Sequence, residues 1–296
     1  MCLGGVKLFR RMKNGWALAK DSWGVLKQDK ELVLFPIFSG IACLCVMASF
    51  AVPLWATGIL GELKGGDADT MTTTQQVIGG IVLFAYYFVN YFVIIFFNTA
   101  LISCAITRFR GGDPTFSQGV SAAVDRLPQI VGWALVSATV GLILKLIESR
   151  SERIGTIIAS VIGMAWSAMT YFVVPIIVVE RAGPIAAAQR SLQILRKTWG
   201  ESLVANFGIG LFVLLASLVG VVFIALGVVA IGAQQFIVGG IAIGLGVVWI
   251  LAVSLVSSAM NAVVIGALYL YASEGTVAQQ FDANSLESAF RHGRVR

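Results

Sequence analysis

The fold class predicted from the sequence is an all-α membrane protein. It has six transmembrane helices in three hairpins, each preceded by a cytoplasmic amphipathic interfacial helix in a threefold internal repeat. Three observations predict it. Charged residues make up 12% of the 296 positions and hydrophobic residues 58%, where a soluble domain carries about 25% charged. Several apolar runs exceed the roughly 18 residues that mark a spanning helix. The basic residues are also distributed very unevenly between alternate loops.

The spans read as 33–60, 77–107, 128–147, 155–179, 203–231 and 237–272. A helix rises about 1.5 Å per residue, so about 20 residues cross a 30 Å hydrocarbon core. The second, fifth and sixth runs are longer than that and must tilt, break or extend past the interface. The sixth is expected to be a single kinked span rather than two re-entrant pieces. Segments 1–32, 108–127, 180–202 and 273–296 hold 17 of the 21 Lys and Arg, and the opposite loops hold Lys64, Lys145, Arg150 and Arg153. The positive-inside rule then places both termini in the cytoplasm. The net charge of +6 thereby reads as orientation and attraction to anionic headgroups, not as nucleic-acid binding, because no compact basic domain carries it. The first thirty residues are too charged for a cleavable signal peptide, and the run after them is long enough to stay in the bilayer.

Each odd-numbered span follows an amphipathic segment. Phe9, Met12, Trp16, Ala19, Trp23 and Leu26 recur at steps of three and four, with Arg10, Lys13, Lys20 and Lys27 on a different face. Phe116, Val120, Ala123 and Leu127 form the second stripe. Ile185, Ala188, Leu192, Leu195 and Trp199 form the third, with Arg190, Gln193 and Lys197 facing away and Arg196 beside them. Such spacing collects apolar residues on one helical stripe. A basic face opposite Trp, Phe and Leu suits a helix lying at the headgroup level, and packing on one another as a small cap is the alternative. Pro114 and Pro184 stand where a first-turn proline is tolerated, and GESLVANFGIG reads as a bend into the fifth span. The exits repeat as well, with Asn98 and Asn261 each fourteen residues before a glycine. The domain plan is one membrane domain over 1–274, with repeat units of about 6–107, 114–180 and 184–272, and a cytoplasmic tail over 275–296.

The runs GWALAKDSWGVLKQDKELVLFPIFSG, FFNTALISCAITRFRGGDPT, LPQIVGWALVSATVGLIL and RSLQILRKTWGESLVANFGIG resemble, in that order, a bacterial integral-membrane family of unknown function. The helix-plus-hairpin pattern is similar, more distantly, to the membrane domain attached to some glycerophosphodiester phosphodiesterases. The first resemblance implies a bacterial inner membrane and supplies no activity. The second carries none over either, because the catalytic domain is missing from this chain.

The residues offer little chemistry. Ionisable groups inside a membrane are costly and mark function when they occur, and here they are nearly absent from the spans. Glu180 with Arg181, and Lys145 with Glu148, read as boundary anchors. The single histidine, His292, has no partners for a catalytic or metal centre, and Cys43, Cys45 and Cys104 read as buried thiols. No enzyme activity, cofactor or metal is expected. The polar candidates within the spans are Asn90, Asn98, Asn206, Asn261 and Ser257, which either glue helices together or line a path. Gly240 and Gly244 offer a GxxxG contact. In the tail, Phe281, Leu286 and Phe290 form an apolar trio that either docks back on the protein or binds a partner. The expected function is non-enzymatic: organising lipid, especially anionic headgroups, or anchoring protein partners or further copies of the chain. A channel or facilitator for lipids or small amphiphiles is the alternative.

Overall fold

The computed structural model describes residues 18–56, 73–149, 154–278 and 280–281. Described residues outside the turns are helical, with no strand among them. In chain order they form α1 (18–28), a 3-10 turn (Lys30–Val33), α2 (Leu34–Ala56), α3 (Thr73–Phe109), α4 (Phe116–Val124), α5 (Leu127–Ser149), α6 (Ile154–Met169), α7 (Val173–Glu180), α8 (Pro184–Gly232) and α9 (Phe236–Glu274). Six stretches are long and apolar enough to cross a membrane: Lys30–Pro53, Val77–Phe109, Leu127–Glu148, Gly155–Glu180, Val213–Gly232 and Phe236–Glu274. Large side chains on them lie open to their surroundings, as at Ile157, Val161, Met164, Ile237 and Val248. In water such a surface would be a liability, whereas in lipid it is the natural outer face. The chain is a multi-pass helical membrane protein.

Two features differ from the expected elements. The fourth span is interrupted at 170–172, between α6 and α7. Pro175 stands in the first turn of α7 and has no N–H for the carbonyl four residues back, so a continuous helix fails there. The break is closed by hydrogen bonds: Thr170 Oγ1 donates to the Trp166 carbonyl at 2.8 Å, and the Phe172 N–H donates to the buried Ser191 Oγ at 3.0 Å. The third amphipathic segment is not a separate helix, and GESLVANFGIG lies within continuous helix. Residues 184–232 form one helix of 49 residues. No proline interrupts it after Pro184, and a glycine inside a helix costs only about 1 kcal/mol. The sixth run is a single helix of 39 residues, not two re-entrant pieces, as expected.

The chain divides into two compact units. One comprises Met1–Pro36, Leu101–Gln118 and Ile194–Arg296, the other Ile37–Ala100 and Gly119–Gln193. In the first, the buried interior includes Leu18, Val25, Phe35, Leu101, Ala105 and the second half of α9, where Met260, Val263, Ala267 and Leu270 are fully enclosed. Gly266 lets α9 approach α3, since a Cβ there would already touch Phe109 at 3.6 Å and Ile106 at 3.9 Å. In the second unit, Ile130, Ala134, Ala138, Phe172, Ile176 and Ile177 are buried, and Gly132 admits Pro184, whose Cγ would stand 2.7 Å from an added Cβ.

The hairpin of α8 and α9, in the first unit, closes on four glycines. Gly220 faces Gly246 and Gly227 faces Gly239, each with the other's carbonyl oxygen 2.6–2.9 Å from where a Cβ would lie. Ile250, Ile243, Ile231 and Ile224 fill the space beside them. The pairs are seven residues apart on each helix, the spacing of an extended helix–helix seam. Trp249 Nε1 donates to the Ala216 carbonyl at 2.8 Å on the same hairpin. The expected GxxxG glycines take no part, since Gly240 and Gly244 have open space around them.

Candidate functional site

Helix α1 has one covered face and one open face. Leu18, Ala19, Ser22, Val25, Leu26 and Asp29 are buried. Lys20, Trp23 and Lys27 are exposed, at the i, i+3, i+7 spacing that lines one face. The Lys27 ammonium lies 5.8 Å from the Trp23 ring centroid, within range of a cation–π contact. The expected stripe grouped Ala19, Trp23 and Leu26 and set the lysines apart. The structure splits it: Ala19 and Leu26 face the protein, while Trp23 stands with the lysines. The two candidate stripes differ by about one residue, or 100° of rotation. The covered one is chosen by small Ser22 and ion-paired Asp29, which fit where an indole would not. Lys13 and Trp16 lie outside the described residues.

What holds α1 in place is a set of polar contacts within the same unit. The buried Asp29 carboxylate accepts two hydrogen bonds from the Arg108 guanidinium, which also donates to Asp113. The Glu31 carboxylate accepts the Phe116 N–H at 2.7 Å, satisfying one of the donors left unpaired at the start of α4. The Phe116 ring stacks on Phe35, with centroids 4.7 Å apart. Arg110 pairs with Glu274 at 2.8 Å, and Gln280 Nε2 donates to the Arg108 carbonyl at 3.4 Å. Phe281 is buried edge-on to Phe109 at 5.7 Å. It is packed into this unit rather than offered outward, and Leu286 and Phe290 lie outside the described residues. Arg108, Asp29 and Glu31 were not among the expected site residues. Their signal was a pair of carboxylates just before the first span and an arginine just after the second.

The second unit has its own basic junction. Arg126 Nε donates to the Val178 carbonyl at 2.8 Å and its Nη1 to the Ala122 carbonyl at 2.7 Å. One guanidinium thus serves the last turns of α7 and α4, where the helix dipole favours a cation. Burial lowers the Arg126 pKa from its ordinary value, and the neighbouring Arg181 charge pushes it the same way. Arg181 is exposed and holds a left-handed conformation with φ of 51°. Arg190 pairs with Glu180 at 3.1 Å, and Arg196 is exposed. The side chains of Lys197, Trp199 and Asn206 lie outside the described residues, although the helix that carries them does not.

The amides and hydroxyl are divided between the units. Asn90 and Asn98 belong to the second, and Asn206, Ser257 and Asn261 to the first. Asn90 Nδ2 donates to the Tyr86 carbonyl at 2.9 Å, so it is partnered within its own helix. Asn98 and Ser257 are half-buried. Asn261 Oδ1 is buried with no hydrogen-bond partner among the described residues, as is Thr99 Oγ1. Among the described residues no three His, Cys, Asp or Glu side chains gather to hold a metal.

A model described as a family of unknown function (DUF6159) matches residues 77–279, more than half of the chain. No curated protein matches, so the distant likeness to the phosphodiesterase membrane domain gains no support.

Proposed function

The chain belongs to this family of unknown function, which carries no activity over to it, and we propose that the protein is a non-enzymatic organiser of lipid in the bacterial inner membrane. In this reading both termini are cytoplasmic, and the same surface anchors or assembles protein partners or further copies of the chain. The observation that carries the reading is the open face of α1. Lys20, Trp23 and Lys27 stand outward together while Asp29, at the end of the same helix, is held by Arg108. Indole and ammonium groups side by side suit the boundary between acyl chains and anionic headgroups, and each lysine near such a surface contributes about 1 kcal/mol. A helix held at one end keeps that face presented without the entropy cost of ordering it at each encounter.

The test is gentle extraction from native membranes followed by native mass spectrometry. Anionic phospholipid should be retained in excess of its share of the membrane, and the double variant Lys20→Glu/Lys27→Glu should reduce that excess. Recovery of a lone, lipid-free monomer with the wild-type sequence would overturn the reading.

The second reading is a channel or facilitator for lipids or small amphiphiles. It is favoured by the unpartnered Asn261 Oδ1, a buried acceptor whose isolation costs about 1–3 kcal/mol unless something visits it. Asn98→Ala and Asn261→Ala, separately and together, test it in a vesicle permeation assay. Altered stability with unchanged flux removes this reading.

A further inference from the structure

In the second unit the end of α6, the first turns of α5 and the start of α8 enclose a half-open groove of about 170 Å³. Trp133, Trp166, Met169, Pro184, Ile185 and Leu192 line it, with Ala188 between the last two. Trp133 and Trp166 are stacked with centroids 5.6 Å apart and planes 13° from parallel. Trp133 is almost fully buried and Ile185 stands open at the mouth. The groove is smaller than the roughly 300–1,000 Å³ of a whole small-molecule site. It has room for a stretch of one aliphatic chain, so the rest of any occupant must lie outside.

The chemistry just beyond the groove is cationic. Gln129 is one turn before Trp133 on α5, and its Nε2 lies 3.5 Å from the Arg181 carbonyl oxygen. Arg181 is three residues before Pro184, which lines the groove. The Arg181 side chain is exposed, and no carboxylate is paired with it among the described residues. Arg126 lies close enough to feel its charge, with the Asp125 carboxylate acting on it in the opposite sense, and is itself engaged with two helix-end carbonyls. Two neighbouring guanidiniums that repel one another gain from an anion between or above them. Gln129 Oε1, in the same place, is a buried acceptor without a partner.

The depth agrees with that arrangement. With Leu127, the start of the span, taken as the membrane boundary, Gln129 lies about 3 Å and Trp133 about 9 Å further along the helix axis. Those are the depths of the headgroup boundary and of the upper acyl chain. A packing helix from another protein would fill the apolar part but would have to bring its own anion to Arg181.

We propose that this groove is a specific binding site for an anionic phospholipid. One acyl chain lies against the Trp133–Trp166 pair and the phosphate meets Arg181. The proposal rests on the lipid-organising reading above and names a particular site within it, apart from the α1 face.

The test uses the full chain in detergent, titrated with phosphatidylglycerol or with phosphatidylcholine of the same acyl chains, the first bound lipid being counted by native mass spectrometry. The wild-type protein is expected to take its first phosphatidylglycerol about tenfold more tightly than phosphatidylcholine, a difference of about 1.4 kcal/mol. Arg181→Asn removes the charge but tolerates the left-handed conformation. It should make the two lipids equivalent. Ala188→Phe fills the groove from within and should weaken both by about tenfold. Both variants are checked for an unchanged melting temperature, and Ala188→Leu serves if the larger side chain disturbs folding. First-lipid affinities unmoved by all of these substitutions would overturn the site. So would wild-type dimers that Ala188→Phe dissociates, because a second copy would then be the occupant. If the groove variants change nothing while Lys20→Glu/Lys27→Glu still reduces the anionic excess, the site fails and the broader reading stands. If no anionic lipid is retained by the wild type at all, both fail.

Discussion

Arg108 shows most clearly how a single side chain organises this protein. Its guanidinium satisfies the Asp29 carboxylate, which is only 7% exposed, and reaches Asp113 as well. Removing one member of a buried pair leaves a charge without compensation, at about 3–5 kcal/mol. Arg108→Leu should therefore lower the thermal midpoint in detergent strongly, and adding Asp29→Asn should restore most of the loss. If the single variant melts like the wild type, the pair is only a surface contact. Little of this was legible beforehand. Arg108 counted in the sequence as one more basic residue at a span end, and Asp29 as one acid in a polar lead-in. Pairing between residues 79 positions apart leaves no local pattern. The rotation of α1 was hidden for a related reason: Ala19 and Leu26 sit on the covered face whether Trp23 or Ser22 completes it, until a neighbour selects one.

Among the helices, the ones best read from sequence are those whose ends carry strong signals. α5 begins beside Pro128 and matches its expected span within two residues. The break before α7 was signalled by Pro175, but length and hydropathy alone made one continuous span of it. The α8–α9 seam does not show in the four-residue glycine spacing. A four-residue spacing places Gly240 and Gly244 on one face, and that face is open. The working spacing is seven, visible only when both helices are aligned antiparallel. The two kinds of glycine should respond in opposite ways. Gly246→Ala puts a Cβ 2.6 Å from a backbone oxygen, and the overpacking should cost about 1–3 kcal/mol. Gly244→Ala meets nothing and should be neutral or stabilise the helix by about 0.5–1 kcal/mol. Unfolding midpoints of the two variants, measured side by side in the same detergent, check this, and equal destabilisation would refute the seam.

For the molecule as a whole, composition was the most reliable guide, because the count of spans depends on totals and not on contacts. Orientation is a separate matter that the lopsided basic loops predict. A fluorescent protein fused after residue 296 should be bright, and alkaline phosphatase at the same point inactive, with the reverse for phosphatase inserted after Lys64, between the first two spans. A phosphatase active at the C-terminal fusion would invert the topology and move Lys20, Trp23 and Lys27 to the opposite surface. The sequence was least informative about the lengthwise division of α9. Its first half exposes Ile237, Ile241 and Val248, whereas residues from Ala259 to Leu270 are mostly enclosed. The second half carries Ser257, Ser258, Asn261, Tyr269 and Tyr271 where the first is almost wholly aliphatic, yet both lie in one run apolar enough to span, and hydropathy alone does not say which half faces lipid and which faces protein.

That enclosed second half of α9 has a consequence for how the protein is made. Gly266 packs on Ile106 and Phe109, which leave the ribosome about 160 residues earlier, on the order of ten seconds at bacterial synthesis rates. Throughout that interval the exit of α3 waits beside the bilayer with its eventual neighbour unmade. A nascent chain stopped anywhere before residue 259 therefore presents an unfinished apolar surface, which membrane quality control is equipped to recognise. Synthesis of the second half of α9 and closure of this unit become nearly the same event.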